Sequence, residues 1–516
     1  MSNRFSRRRA LQLMGAGAAG LSIPAAIAAA ARQAGEPVPK APRDAPNIIF
    51  IMTDDQARDA VGIYGNDILR TPNMDRIGAE GIRFNQAFVT NSICAPSRAS
   101  YLTGLYSHTH GVTSNGEEPG FYGQGGLRHD QITWPMLLRK AGYHTGMVGK
   151  WHIKSDPTGF DHWAILRGQG TYFDPECIVN GAPVRFRGHT DDVIGDQAIA
   201  YLRQRPDDQP FCLCYQFKAP HGPWEPDTRF YDAFNDVEIP IPVAFEQGPP
   251  EGAPEALSRT RMSVAGMGDF HRNLERRGVQ VPKDLPDDER AHANLQALVK
   301  NYYRVLLGVD ENVGRVLDFL DQNDLAENTI VVYTSDNGFF LGEYGFYDKR
   351  LMYEPSIRVP MLVRWPRRIA AGQVDDEHMV LNIDVAPTLL ELAGGTAPGW
   401  MHGSSWKPLL EGEPTGWRED FLYEFFEYPA VHCVRKHRGV RGERWKLIHF
   451  WEMPDEWALY DLENDPDELV NLVDQPQYAE LVERLKARLL ELRAETGDVD
   501  PPGYVPPKLE TGHCPA

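Results

Sequence analysis

Two acidic pairs, each closing an apolar run, carry the first chemistry. Asn47-Ile48-Ile49-Phe50-Ile51-Met52 ends in Thr53-Asp54-Asp55, and Thr329-Ile330-Val331-Val332-Tyr333-Thr334 ends in Ser335-Asp336-Asn337-Gly338. Asp54, Asp55, Asp336 and the Asn337 amide are hard oxygen donors with no thiolate or imidazole among them, which suits calcium or magnesium rather than zinc. Ligands gathered from separate loops favour calcium over strictly octahedral magnesium. Taken alone, either pair also fits a helix cap or a turn. Between the pairs lies Cys94-Ala95-Pro96-Ser97-Arg98. Pro96 suits an early helical position and Gly104 a stop, so Cys94 is expected at a helix N-terminus with Arg98 one turn on along the same face. Free backbone N–H groups and a guanidinium there favour an anion; the plainer alternative is a buried cysteine opening a helix. Lys150 and His152 in Gly149-Lys150-Trp151-His152, His221 in Pro220-His221-Gly222-Pro223, and Lys349 add cations and imidazoles. Singly, each also fits packing or a solvated face.

The elements that must position these residues follow from the pattern. The runs before Asp54 and Asp336 are apolar throughout and rich in β-branched residues, as parallel strands covered on both faces are. The carboxyl ends of such strands are where open α/β sheets place ligands. From 46 to about 395, apolar runs alternate with helical patterns over Trp134–Gly142, Asp191–Gln204 and His292–Asn323, which predicts a doubly wound α/β core. A less regular insertion over about 225–290 is expected at the rim of the site, with Gly248–Ser263 equally readable as a loose surface loop. Past Trp400 the pattern changes to short strands at Phe421–Phe426, Val431–Val440, Arg444–Phe450 and Ala458–Asp461, followed by a helix over Tyr478–Glu495.

Cys94-x-Pro96-Ser97-Arg98 with the trailing Leu102-Thr103-Gly104 resembles the core motif of the type I, formylglycine-dependent sulfatases of the alkaline phosphatase-like superfamily. The paired aspartates, the Asp336-Asn337-Gly338 turn, Gly149-Lys150-Trp151-His152, the P-H-x-P motif at His221, and Leu459-Tyr460-Asp461-Leu462-Glu463-Asn464-Asp465-Pro466 match the family along nearly the whole chain. The resemblance implies an alkaline phosphatase-like fold, a doubly wound mostly parallel sheet flanked by helices, with a small C-terminal antiparallel-sheet subdomain. It implies a calcium or magnesium ion held by Asp54, Asp55, Cys94, Asp336 and Asn337, and oxidation of Cys94 to formylglycine by a maturation enzyme. The hydrated aldehyde would attack the sulfur of a sulfate ester, with Arg98, Lys150 and Lys349 offsetting charge. His221, with Lys349, would protonate the leaving alcohol, and His152 would be the base that expels sulfate and regenerates the aldehyde. A geminal diol suits this better than serine because its second hydroxyl permits elimination.

The twin arginine in Ser6-Arg7-Arg8-Arg9-Ala10-Leu11 precedes a weakly apolar run to Ala31 interrupted by Gly15, Gly17, Gly20 and Pro24, which resembles a Tat signal peptide. The expected organisation is a leader over 1–31, a linker over 32–45, a catalytic domain over 46–400 and a C-terminal subdomain over 401–516, in a protein exported to the periplasm or beyond. Six cysteines are too few for a disulfide framework in 516 residues, and Cys212 and Cys214, two apart in an apolar run, read as core. A net charge of −19 argues against nucleic acid or anionic membranes as partners, and no stable membrane insertion is expected.

An anionic substrate then needs a local positive patch, for which Arg435-Lys436-His437-Arg438 with Arg441, Arg444 and Lys446 is the candidate. His432 and Arg435, beside Tyr423-Glu424, are the expected substrate contacts. Together with Gly168-Gln169-Gly170-Thr171-Tyr172 they resemble sulfatases acting on sulfated carbohydrates, including N-acetylglucosamine-6-sulfate. The alternatives are a phosphonate monoester or phosphodiester hydrolase of the same superfamily and an inactive protein that binds sulfated glycans.

Overall fold

The computed structural model describes residues 40–42, 44–116, 126–128, 130–242, 244–267, 285–412, 416–452, 454–500 and 504–505. The leader expected over 1–31, residues 32–39 of the linker, and Cys514 lie outside them. Ten strands form the main sheet: β1 (Asn47–Thr53), β2 (Ile82–Phe84), β3 (His144–Gly149), β4 (His162–Leu166), β5 (Glu176–Val179), β6 (Ala182–Arg185), β7 (Phe211–Gln216), β8 (Thr329–Ser335), β9 (Met361–Arg364) and β10 (Gln373–Asp375). Their order across the sheet is β10-β2-β9-β8-β1-β7-β3-β4-β5-β6. The central strands β8, β1, β7, β3 and β4 run parallel, while β9 pairs antiparallel with both β8 and β2.

Alternation along β1 explains why the strand is apolar throughout. Ile49 and Ile51 enter a core shared with α3 (Thr190–Gln204) and α4 (Asp287–Gln322). Ile48, Phe50 and Met52 enter the opposite core with α1 (Cys94–Thr103) and α2 (Trp134–Ala141). Both faces of the sheet are therefore covered, as expected of parallel strands. Cys212 and Cys214 of β7 are free and lie in the second of these cores. The long helix α4 begins earlier than its apolar periodicity does, because its first turn is the acidic Asp287-Asp288-Glu289, a sequence suited to a helix N-terminus but not to an apolar pattern.

A second sheet of four antiparallel strands, β11 (Asp420–Phe425), β12 (His437–Gly442), β13 (Trp445–Phe450) and β14 (Glu456–Asp461), precedes α5 (Ala479–Thr496). The strand expected over Val431–Val440 starts only at His437. Residues 431–436 are a loop instead: Cys433 N–H bonds Ala430 O at 2.9 Å, Cys433 takes φ 51°, and Arg261 N–H bonds His432 O at 2.9 Å. Cys433 is disulfide-bonded.

Two surface readings change. Gly248–Ser263 is packed rather than loose, with Glu251 N–H on Leu469 O at 2.8 Å and Ala256 and Leu257 both buried. The basic stretch from Arg435 to Lys446 is not a surface patch, because most of its cations face acids on neighbouring segments. Arg441 and Lys446 meet Glu354, Lys446 also meets Glu468 at 2.6 Å, and Arg444 meets Asp461 at 2.7 Å. Among the described residues no helix is long and apolar enough to cross a membrane.

Candidate active site

The carboxyl edge of the central strands collects the chemistry. Asp54 and Asp55 follow β1, Asp336 and Asn337 follow β8, Lys150 and His152 follow β3, and His221 lies past β7. Backbone bonds lock these turns together, from Asp54 N–H to Ala219 O at 3.2 Å and from Asp336 N–H to Thr53 O at 3.1 Å. Gly149 is required for the approach: at φ 102°, a Cβ there would stand 1.8 Å from Gln216 O. Positive φ also occurs at Asp55 (71°), His152 (52°), Asp348 (83°) and Arg350 (86°), so backbone strain gathers around the site and on both sides of Lys349.

Cys94 opens α1, fully buried, with Sγ 3.4 Å from Asp54 Oδ1 and 4.0 Å from Asp55 Oδ1. Burial pushes its thiol well above the ordinary range, so the unmodified side chain is a neutral thiol. Arg98 lies one turn on with Nε and Nη1 hydrogen-bonded and Nη2 buried without a hydrogen-bond partner, 3.8 Å from Asp54 Oδ2. Nε donates to Asp336 Oδ2 at 2.8 Å, and Nη1 to Lys150 O at 2.7 Å and Gln216 Oε1 at 2.9 Å. Lys150 Nζ bonds Asp54 and also Gln169 Oε1 at 2.6 Å. Lys349 Nζ reaches both oxygens of Asp55 at 2.6 Å. His221 Nε2 stands 3.8 Å from Asp55 Oδ2.

Ligand atoms of Asp54, Asp55 and Asp336 lie within 4.8 Å of one another. Asn337 Nδ2 donates to Asp55 Oδ1 at 2.8 Å and to Gly338 O at 2.9 Å, whereas its buried Oδ1 has no partner. A buried acceptor left unsatisfied beside three carboxylates fits a hard divalent cation.

The structure thus gathers Asp54, Asp55, Cys94, Arg98, Lys150, His152, His221, Asp336, Asn337 and Lys349. His432 stands beside this group, its Nε2 3.1 Å from Asp348 next to Lys349. Arg435 does not join it: its guanidinium bonds Glu456 and the carbonyls of Glu452 and Pro454. Tyr423 and Glu424 serve as scaffold, through Arg350 O at 2.6 Å and His108 at 2.7 Å. Sequence reasoning missed Gln216, Lys218 and Asn115, which caps Ala95 N–H at 3.0 Å. None of the three belongs to a recognisable motif; only their position past a strand end or near the cysteine helix could have drawn notice. A separate cavity of about 810 Å³, lined by Arg58, Tyr64, Tyr303, Glu343 and Arg358 among others, shares none of these catalytic candidates.

The sequence model of the family named Sulfatase matches residues 46–395. The chain belongs to the sulfatase family. A second model, the C-terminal region of N-sulphoglucosamine sulphohydrolase, matches residues 342–495 of this sulfatase. The sulfatase is 39% identical over 499 residues to the N-acetylglucosamine-6-O-sulfatase of Bacteroides thetaiotaomicron, with 88% of each chain covered. It is 28% identical to an arylsulfatase of Clostridium perfringens over 86% of its own length and 94% of that protein's. A solved structure in complex with its substrate D-glucosamine-2-N,6-O-disulfate is 37% identical, covers 89% of the sulfatase and 99% of the solved chain, and superposes with a TM-score of 0.80. A phosphonate monoester hydrolase from Silicibacter pomeroyi shares the fold, with a TM-score of 0.69 at 22% identity.

Proposed function

We propose that this sulfatase removes the 6-O-sulfate from N-acetylglucosamine-type residues of a sulfated glycan. The observation that carries the reading is the 39% identity to an N-acetylglucosamine-6-O-sulfatase along 88% of both chains, reinforced by the solved relative bound to a 6-O-sulfated glucosamine.

The side chains divide the work. Lys150 and Lys349 grip the nonbridging sulfate oxygens, and Arg98 holds Asp336 and the Lys150 carbonyl in place. Their burial keeps water from weakening these charges. Asp54, Asp55, Asp336 and Asn337, with the Cys94 side chain, would hold calcium, with magnesium as the alternative; the ion would supply positive charge to the sulfate and acidity to the nucleophile. Formylglycine made from Cys94 by a maturation enzyme supplies, as its hydrate, the attacking hydroxyl. His221, with Lys349, gives a proton to the sugar alkoxide, a poor leaving group for which a placed acid is worth about 10²–10⁴ in rate. His152 accepts a proton in the step that frees sulfate. His432, through Asp348, stands where it can read the sugar beside the sulfate.

The division into leader, linker, catalytic domain to residue 400 and C-terminal subdomain belongs to the same proposal, as does export by the Tat machinery to the periplasm or beyond. The disulfide at Cys433 supports an oxidising compartment. The net charge of −19 supports a partner list without nucleic acid or stable membrane insertion.

The test is mass spectrometry of the Cys94 peptide from protein made in its own host, joined to sulfate release from 6-sulfated N-acetylglucosamine. Formylglycine appears as a loss of about 18 Da. An unmodified thiol in a protein that still releases sulfate refutes the nucleophile assignment, and a modified protein inactive on 6-sulfated sugars but active on phosphonate monoesters refutes the substrate.

A further inference from the structure

The turn that carries the His221 ring is held by atoms outside the motif that marks it. The ring Nδ1 lies 2.8 Å from Gly222 O. A carbonyl only accepts, so Nδ1 carries the hydrogen on that side, and Nε2 is the nitrogen that stands toward Asp55 at 3.8 Å. The same Gly222 carbonyl accepts from Lys218 Nζ at 3.2 Å, and the carbonyl of His221 itself accepts from Tyr172 Oη–H at 2.6 Å. The two holders also touch each other, with the Lys218 ammonium 4.9 Å from the centre of the Tyr172 ring. Tyr172 is fixed in turn by Thr190 N–H on its carbonyl at 2.8 Å and by stacking on His189 at 5.6 Å.

Lys218 and Tyr172 are each only 1% exposed. Burying an ammonium is unfavourable unless its surroundings compensate it. Here Asp191 at the start of α3, buried with neither carboxylate oxygen hydrogen-bonded, shares that compensation with Asp55. The hydrogen bond from Lys218 to the Gly222 carbonyl places this ammonium to steady the His221–Gly222 backbone.

We propose that Lys218 and Tyr172 are positioning residues for His221, clamping the Gly222 carbonyl that holds Nδ1–H and the carbonyl of His221 itself, so that in the imidazolium form the Nε2–H meets the leaving oxygen. The proposal rests on the reading of His221 as the proton donor. An acid held loosely loses part of its contribution, and the loss is felt only where the leaving group needs a proton.

The experiment compares Lys218→Met, Tyr172→Phe and His221→Ala, each in the matured enzyme, on 6-sulfated N-acetylglucosamine and on 4-nitrophenyl sulfate. His221→Ala is expected to lose far more kcat on the sugar than on the aryl ester. Lys218→Met and Tyr172→Phe should repeat that asymmetry at about tenfold, with KM little changed, and Lys218→Met should add less than twofold in the His221→Ala background. Tyr172→Phe removes a single hydroxyl and carries the same expectation should Lys218→Met fail to fold. Equal losses on both esters, or a KM effect on both, overturn the clamp while His221 keeps its selectivity. If His221→Ala itself shows no leaving-group selectivity, the proton-donor reading falls and the clamp with it.

Discussion

His108 ties the cysteine-bearing side of the molecule to the C-terminal sheet, and its protonation sets a measurable part of stability. It lies in the short helix Ser107–His110 with Nδ1 2.7 Å from Glu424 Oε2 and Nε2 3.0 Å from Thr496 O, while its backbone N–H bonds Glu424 Oε1 at 3.0 Å. Both ring nitrogens face oxygens that only accept, which requires the doubly protonated imidazolium. Burial opposes that charge, but Glu424, the Thr496 carbonyl and Asp498 overcome it and lift the pKa from 6.5 to about 9. His402, which stacks on the same ring, and His110 are pushed the other way, to about 4 and about 3, first by burial and then by the charge of His108.

A folded pKa above the unfolded one means that the stabilisation is whole below about pH 6.5 and disappears as pH rises through about 9. A rise from 6.5 to about 9, at about 1.4 kcal/mol per unit, makes the contribution about 3 kcal/mol. The perturbation is His108→Gln, which keeps the size and one donor but cannot carry the charge. Urea unfolding followed by tryptophan fluorescence at pH 6.5 and pH 10 gives the comparison. Wild type should exceed the variant by a few kcal/mol at pH 6.5 and converge with it at pH 10. His110 and His402, already neutral over this range, should leave the difference untouched. A gap of equal size at both pH values refutes the imidazolium, because a neutral histidine lost for packing reasons alone would cost the same throughout.

The remaining expectations concern the site. Cys94→Ser should lack measurable sulfate release while unfolding at the same urea concentration as wild type, since hydroxyl and thiol occupy the same buried position; turnover within tenfold of wild type would remove the need for formylglycine. Asn337→Ala should weaken calcium binding by tenfold or more, read by calorimetry on the chelator-treated protein, because its Oδ1 is a buried oxygen without a partner beside the three carboxylates; unchanged affinity would exclude it as a ligand. Arg435→Met should leave KM for the sugar sulfate within twofold yet lower stability by about 1–3 kcal/mol through the lost bonds to Glu456 and to the Glu452 and Pro454 carbonyls, whereas His432→Asn should raise KM; a KM effect from Arg435 would restore it to the cleft. Gly149→Ala should abolish soluble protein or activity, given the 1.8 Å approach to Gln216 O, and a normal enzyme would show that β3 and β7 can separate.

The sheet was legible because its information is local and redundant. β1 and β8 are apolar on both faces, so strand type, parallel pairing and central position follow from composition alone. The acids beyond them fall on one edge by the same logic. The C-terminal region was legible in its elements but not in its charges. Strands alternate, so Arg441 and Lys446 could each point out or in, and Arg435 falls in a loop that no period orients; only partners such as Glu354, Glu456 and Glu468 decide. Lys218, and the contact that Tyr172 makes with the His221 turn, were hidden for a related reason. Tyr172 reaches the His221 turn from 49 residues away and Lys218 from within the same turn, and no period or spacing in a single chain encodes a backbone carbonyl as a partner.

That distribution of information bears on specificity. The central cations and carboxylates respond to a tetrahedral anion and its charge, and sulfate and phosphonate monoesters present nearly the same oxygens to them. A phosphonate monoester hydrolase can therefore share this fold. On the proposed reading, discrimination has to come from groups that would meet the alcohol side of the ester, where His432 and Asp348 stand beside Lys349 and where His221 would supply the proton. A substitution at His432 should consequently change the ratio of sugar sulfate to aryl sulfate turnover while leaving the ratio of aryl sulfate to aryl phosphonate unchanged. Movement of the second ratio would place His432 against the anion instead of the sugar.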